Sequence, residues 1–332
     1  MWRNRTWTPQ YGHLHVLEDA IGFGHFHMSI AALFSHLSTL AHTRAELLLA
    51  FDYSTKRTRS NPRLNAASTI YMLPLLDSVI EYGRYQLRIN ITFWNETSGS
   101  SPWCFESVTR RLCADEDYQV VGNFLPGGGH CGAWFSTFHA VHKWRHFLHV
   151  QHRVATRWAH RTESTRKLRV VLFDRSNNVT RTSLNPYDKR WFHNATAVLQ
   201  TISRSCTGAS SMRCSVERRV YDGVMRDFEE NCAEYFSPDI IVSVHGAGLG
   251  NLLCARPSTA VVEIMPVRVG KFRDDFWPTM YANLAHQLGL KYCLVRAEGG
   301  RGTTAILPNA ADLVECVTTV AASFNNLGRR TS

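Results

Sequence analysis

The residues best suited to chemistry are His245-Gly246-Ala247-Gly248-Leu249, which follow the β-branched run Ile240-Ile-Val-Ser-Val244. That run has the composition of a fully buried parallel strand. Two glycines in three positions let the backbone turn sharply and let a ligand approach it. Leu249–Ala255 reads as a short helix stopped by Pro257, and Val261–Ile264 as the next buried strand. A glycine loop between a strand end and a helix N-terminus offers free N–H groups and a helix dipole to an anion, phosphate above all. The loop is neither Gly-x-Gly-x-x-Gly nor Gly-x-x-x-x-Gly-Lys-Ser/Thr, so it carries no Rossmann or Walker fingerprint. Without function, it is a tight turn and His245 a satisfied core histidine. With function, His245 stands where open α/β sheets bind ligands.

Other residues fit the same chemistry. Arg175 lies just past the strand Leu168–Phe173, on the same sheet edge as His245, where a guanidinium can fork onto phosphate oxygens. Glu263 ends the following strand and is a candidate for binding ribose hydroxyls, as acidic residues do in nucleotide-binding α/β folds. Asn251 is a positioning candidate. Metal-binding patterns are poorer. Asp115-Glu116-Asp117 contains an Asp-x-Asp, but it follows no clear strand and reads as a solvated acidic face. His142 and His146 have i, i+4 spacing on a histidine-crowded helix, without the glutamate of His-Glu-x-x-His. No Cys/His set has zinc spacing, so no structural zinc is expected. Pro126-Gly-Gly-Gly-His130 reads as a mobile loop.

Several segments together resemble glycosyltransferase family 61. They are the His245–Leu249 loop with Asn251 and Val261-Val262-Glu263, the strand-then-Arg175, Arg181 and Asn185 segment, Tyr281 with Ala285, Gly289-Leu290 and Tyr292, and Gly22–His25-Phe26 entering a long helix. The family includes plant xylan arabinosyl- and xylosyltransferases and animal O-linked N-acetylglucosamine transferases of the secretory pathway. The resemblance is nearly continuous from Lys167 to Val295 and thin between Ser54 and His160. It implies a GT-B-like α/β fold, with two facing Rossmann-like domains and parallel sheets. It also implies inverting transfer of a sugar from a UDP-sugar to a hydroxyl of a glycan or glycoprotein. Arg175, Arg181, Asn185, His245, Gly246, Ala247, Gly248, Leu249, Asn251 and Glu263 become the donor site, with no metal or other cofactor. His25 becomes the candidate base; His27, Asp19 and His130 stay open. N-acetylglucosamine, xylose and arabinose are not separated, and two alternatives remain: a non-catalytic nucleotide-sugar or carbohydrate-binding protein, and a cytosolic phosphate-loop enzyme.

The elements that must position these residues alternate in type. The apolar positions Ile30, Leu33, Phe34, Leu37 and Leu40 make one helical face. Strands are expected at Glu46–Phe51 and Tyr85–Ile91, with a helix over Asn65–Gly83 between them. Asn95–Asp117 is polar and reads as a surface excursion, and Phe135–Arg161 as a long helix. The second half gives a βαβ series. Its helices are Tyr187–Ser203, Val224–Phe236, Trp277–Leu288 and Ala311–Phe324; its strands are Leu168–Phe173, Cys214–Val220, Ile240–Val244, Val261–Ile264 and Tyr292–Val295. The expected domains are 1–160, on the acceptor side, and 161–332, on the nucleotide-sugar side.

A hydrophobic content of 44% with 19% charged residues belongs to a folded globular chain. Lys+Arg 37 against Asp+Glu 27 gives +10, which suits an acidic partner such as a nucleotide diphosphate. No basic block is interleaved with aromatics, so nucleic acid is not expected. Asn4, Asn90, Asn95, Asn178 and Asn194 head Asn-x-Ser/Thr sequons, and nine cysteines agree with an oxidising compartment. Cys104–Cys113 and Cys206–Cys214 close short loops and are the expected disulfides, while Cys254 and Cys293 read as buried thiols. Met1-Trp-Arg-Asn-Arg-Thr6 is not a signal peptide and no run of 18 apolar residues occurs. The expected location is the Golgi or endoplasmic reticulum lumen, with membrane contact only through an anchor outside this sequence.

Overall fold

The computed structural model describes residues 11–17, 30, 33–34, 37, 40–43, 45–51, 71, 73–93, 105–109, 138–151, 167–175, 191–221, 226–266, 280–299 and 305–325. Within them the fold is mixed α/β, with two mostly parallel sheets. Chain contacts divide it into units at Met1–Phe147 and Leu148–Ser332.

The first unit holds strands β1 (Tyr11–Leu17), β2 (Glu46–Phe51), β3 (Asn90–Phe93) and β4 (Phe105–Thr109), paired in the order β3-β2-β1-β4, all parallel. Ile30, Leu33, Phe34, Leu37 and Leu40 are all buried, as one apolar helical face requires. Phe34, Tyr82, Trp144 and Phe147 form an aromatic cluster with ring centroids 5.0–5.9 Å apart. Helix α1 (Leu73–Tyr85) crosses β3 closely: a Cβ on Gly83 would stand 2.1 Å from Ile91 Cδ1. Two expectations change here. Phe105–Thr109, inside the supposed surface excursion, is a strand along β1, and the strand expected at Tyr85–Ile91 begins only at Asn90. Arg88, at φ 56, lies in the left-handed region, so the chain turns before pairing. Helix α2 (Phe138–Gln151) runs through the division between the units.

The second unit is built on β5 (Lys167–Arg175), β6 (Arg213–Tyr221), β7 (Ile240–Val244), β8 (Ala260–Pro266), β9 (Lys291–Glu298) and the short β10 (Leu307–Pro308). Their order is β10-β9-β8-β7-β5-β6, parallel except for β10. Taken from β5, this is the doubly wound order 2-1-3-4-5, and the winding reverses between β5 and β7. Pleat parity assigns the faces. Leu168, Val170, Leu172, Ile240, Val242, Val244, Ala260, Val262 and Ile264 pack against α3 (Ala195–Ala209) and α6 (Ala310–Ala322) in one core. On the opposite face, Phe173 stacks on Tyr235 of α4 (Phe228–Phe236), with centroids 4.5 Å apart and planes 8° from parallel. Helix α5 (Met280–Gln287) precedes β9.

Helix starts follow their caps. α3 begins at Ala195, not Tyr187, because Asn194 Oδ1 accepts from Ala197 N at 2.9 Å. α4 begins at Phe228 because Asp227 accepts from Glu230 N at 2.8 Å. Disulfides tie helices to the sheet. Cys206 is bonded to Cys214, joining the end of α3 to β6. Cys254 and Cys293 are not the buried thiols expected: Cys254 is bonded to Cys232 and Cys293 to Cys316. Their partners sit on α4 and α6, which linear sequence does not bring near. Cys104, Cys113 and Cys131 lie outside the described residues.

Candidate functional site

The site is assembled where β5, β7 and β8 end. Phe173, Ser243 and Glu263 are register partners across the three strands. Side chains of the same parity, Arg175, His245 and Glu263, therefore share one face and one edge of the sheet. This edge is the switch point of the strand order, where doubly wound sheets bind their ligands.

β5 is held at that edge by Asp174, whose side chain is fully buried. Asp174 accepts from the N–H groups of Arg175 at 2.7 Å and Phe192 at 3.3 Å and from Arg218 on β6 at 2.5 Å. A buried carboxylate with this many donors is satisfied, and it fixes the backbone from which Arg175 projects. The Arg175 guanidinium acts electrostatically on the Tyr235 phenol. Burial pushes that phenol up, Glu234 adds to the push, and Arg175 opposes it.

The glycine loop leaves β7 at His245, whose N–H donates to Ile264 O of β8 at 2.9 Å. Gly246 caps a 3-10 helix, Ala247–Cys254, in place of the helix expected at Leu249–Ala255. Leu249 N–H closes the first turn onto Gly246 O at 3.0 Å, which removes Leu249 from the expected backbone donors. The 3-10 pattern gives the N–H groups of Ala247 and Gly248 no acceptor within the helix. Asn251 is 2% exposed and donates Nδ2 to Gly248 O at 3.1 Å, so it shapes the loop from inside. The disulfide from Cys232 to Cys254 pins the far end of the 3-10 helix to α4.

His245 is nearly enclosed, its side chain 13% exposed. Its ring tilts against that of Tyr281, centroids 5.3 Å apart at 56°, and its Nδ1 meets Glu263 Oε1. Glu263 is fully buried, and its Oε2 accepts from Tyr292 Oη at 2.5 Å. Burial first, then the Glu263 carboxylate, holds the Tyr292 phenol well above its ordinary range. The ribose contact expected of Glu263 finds no exposed carboxylate to make it; the carboxylate is spent inside the protein.

Arg175, His245, Gly246, Gly248, Asn251 and Glu263 are thus brought to one sheet edge. Tyr235 completes it without any signal in the loop sequence itself. The sign available was helical spacing, since Tyr235 follows Phe228 and Cys232 on the buried side of α4. His25, His27, Asp19, Asp115, Asp117, His130, Arg181 and Asn185 lie outside the described residues, as do Asn4, Asn95 and Asn178. Asn90 and Asn194 are exposed. Among the described residues no group of three or more His, Cys, Asp or Glu is placed to hold a metal ion. No helix among them is long and apolar enough to cross a membrane.

A family profile described as Glycosyltransferase 61 matches residues 23–262, more than half of the chain. No match to a curated protein accompanies it.

Proposed function

The chain belongs to glycosyltransferase family 61, and from that premise we propose that it transfers a sugar from a UDP-sugar to a hydroxyl of a glycan or glycoprotein, with inversion. N-acetylglucosamine, xylose and arabinose are the candidate sugars. The observation that carries the reading is the coincidence of Arg175, His245 and the glycine loop at the switch point between β5 and β7. Sugar transfer from a diphosphate requires the leaving group's charge to be stabilised as it develops. A guanidinium, an imidazole and the N–H groups of Gly246, Ala247 and Gly248 are suited to that task. Fixed cations and backbone dipoles can perform it without a metal, and the donor site is proposed to be metal-independent.

The second unit then takes the nucleotide-sugar, and the first, in a GT-B arrangement, the acceptor. Arg181 and Asn185 extend the donor site. His25 is the proposed base that takes the acceptor hydroxyl's proton. Three disulfides in the second unit support a lumenal setting in the Golgi or endoplasmic reticulum, since such bonds persist in oxidising compartments.

The test is a hydrolysis and transfer screen over UDP-sugars, with UDP affinity measured in the presence and absence of EDTA. One UDP-sugar is expected to turn over, with UDP affinity unchanged by chelation. A large loss of affinity on chelation overturns the metal-free site. Donor binding with no turnover over a broad acceptor panel overturns the enzymatic reading in favour of a binding protein.

A further inference from the structure

Glu263 is the sole charged residue in the run Ala260-Val-Val-Glu-Ile-Met-Pro266, at the centre of a sheet, with no exposed surface. A carboxylate there is costly unless its oxygens are satisfied. Both are: Oε1 by His245 Nδ1, Oε2 by Tyr292 Oη. An ionised carboxylate only accepts, so both partners must donate. The phenol, pushed up by burial and by Glu263, keeps its proton. His245 must therefore carry a proton on Nδ1, which leaves Nε2 to face a ligand; toward an anionic oxygen Nε2 has to be protonated too, as in the imidazolium. The ring is fixed in other ways as well. Its backbone N–H is tied to Ile264 O, one residue from Glu263, and the tilted ring of Tyr281 lies beside it.

We propose that Glu263, backed by Tyr292, is a positioning residue for the donor: it holds the His245 ring through Nδ1–H and so aims Nε2, which must also carry a proton to donate, at an anionic oxygen of the nucleoside diphosphate. The proposal rests on the donor-site reading above and gives Glu263 a role through His245 in place of a ribose contact. A second layer that orients a ligand-binding imidazole through its other nitrogen is a general device, and its loss typically costs about 10–100-fold where it supports a metal ligand.

Two measurements on the full chain test it. Long-range proton–nitrogen NMR with labelled histidine, assigned by loss of the signal in His245→Gln, reads whether Nδ1 holds a proton. Nδ1–H is expected in the wild type without nucleotide, and a bare Nδ1 overturns the proposal. UDP titration then places the effect. Glu263→Gln sets an amide N–H₂ against one of two donors, so UDP binding should weaken by about tenfold. In a His245→Ala background the same change should cost less than about twofold, because the residue it acts through is gone. Equal losses in both backgrounds overturn the proposal. Tyr292→Phe removes one donor without adding another and repeats the cycle should Glu263→Gln fold poorly. Failure of the wild type to bind UDP overturns the donor reading, whereas the Nδ1 proton is read with no nucleotide present.

Discussion

Tyr235 Oη lies 3.1 Å from the point a Cβ on Gly248 would occupy. The approach is tighter than side chains ordinarily tolerate, and Tyr235 has little room to yield. It is 5% exposed and stacked on Phe173. Gly248 is therefore needed for the protein's own packing, whatever ligand comes to the loop. Gly248→Ala should destabilise by about 1–3 kcal/mol, the usual cost of overpacking, and lower the melting temperature. Adding Tyr235→Phe removes the crowding oxygen and should restore most of that stability. UDP affinity in the double variant then separates two causes. Recovery assigns the loss to packing; a persistent loss assigns it to backbone contact with the ligand.

Arg175→Ala should leave the fold intact, since Asp174 anchors the end of β5. UDP affinity should fall roughly tenfold or more, as expected for losing a charge-assisted bond of about 1.5–3 kcal/mol. Arg175→Lys should rescue in part, because an ammonium keeps the charge and loses the fork. His245→Ala should weaken UDP to a similar degree. Isothermal titration decides it: wild-type affinity in His245→Ala would place the donor site elsewhere.

The two central strands of the second unit were legible because strands buried on both faces carry continuous apolar runs, and Ile240–Val244 and Ala260–Pro266 do. Phe105–Thr109 was not: its neighbourhood is polar and its partner β1 lies far away in sequence. In the site, the paired glycines marked the loop. Glu263 was misread because strand-end acids commonly meet ribose, yet a lone charge inside an apolar run signals a buried partner. That partner, His245, is its neighbour only across the β7–β8 register. Cys254 and Cys293 looked like inert core thiols for the same reason, since what they pair with is set by helix docking.

Asn194 caps a helix and also heads a sequon, and the two can be tested apart. Its Oδ1 caps α3 by accepting from Ala197 N, while glycosylation of the Asn194-Ala-Thr196 sequon would use Nδ2. Asn194→Ala removes cap and acceptor together; in unglycosylated protein it should cost about 0.5–2 kcal/mol through the lost cap alone. Thr196→Ala should abolish any glycan and keep the cap. Intact mass from a secretory host reads the glycan, and thermal unfolding reads the cap. Equal destabilisation by both variants in protein from a bacterial host would refute the capping role.

The disulfides allow the loop's support to be tested against a control within the same unit. Cys232–Cys254 closes a separation of 22 residues and Cys206–Cys214 one of 8, so the chain-entropy argument assigns each about 3 kcal/mol. Peptide mapping without reduction should recover both pairs, together with Cys293–Cys316. Their removal should differ in function. Cys232–Cys254 fastens α4, which carries Tyr235, to the 3-10 helix that carries Gly248 and Asn251. Replacing both cysteines by alanine should lower stability and also weaken UDP binding at temperatures where the protein stays folded. Replacing Cys206 and Cys214, which join the end of α3 to β6, should lower stability to a similar extent and leave UDP affinity unchanged. Equal UDP affinity in the two variants would mean that the Cys232–Cys254 bond stabilises the fold without shaping the donor loop.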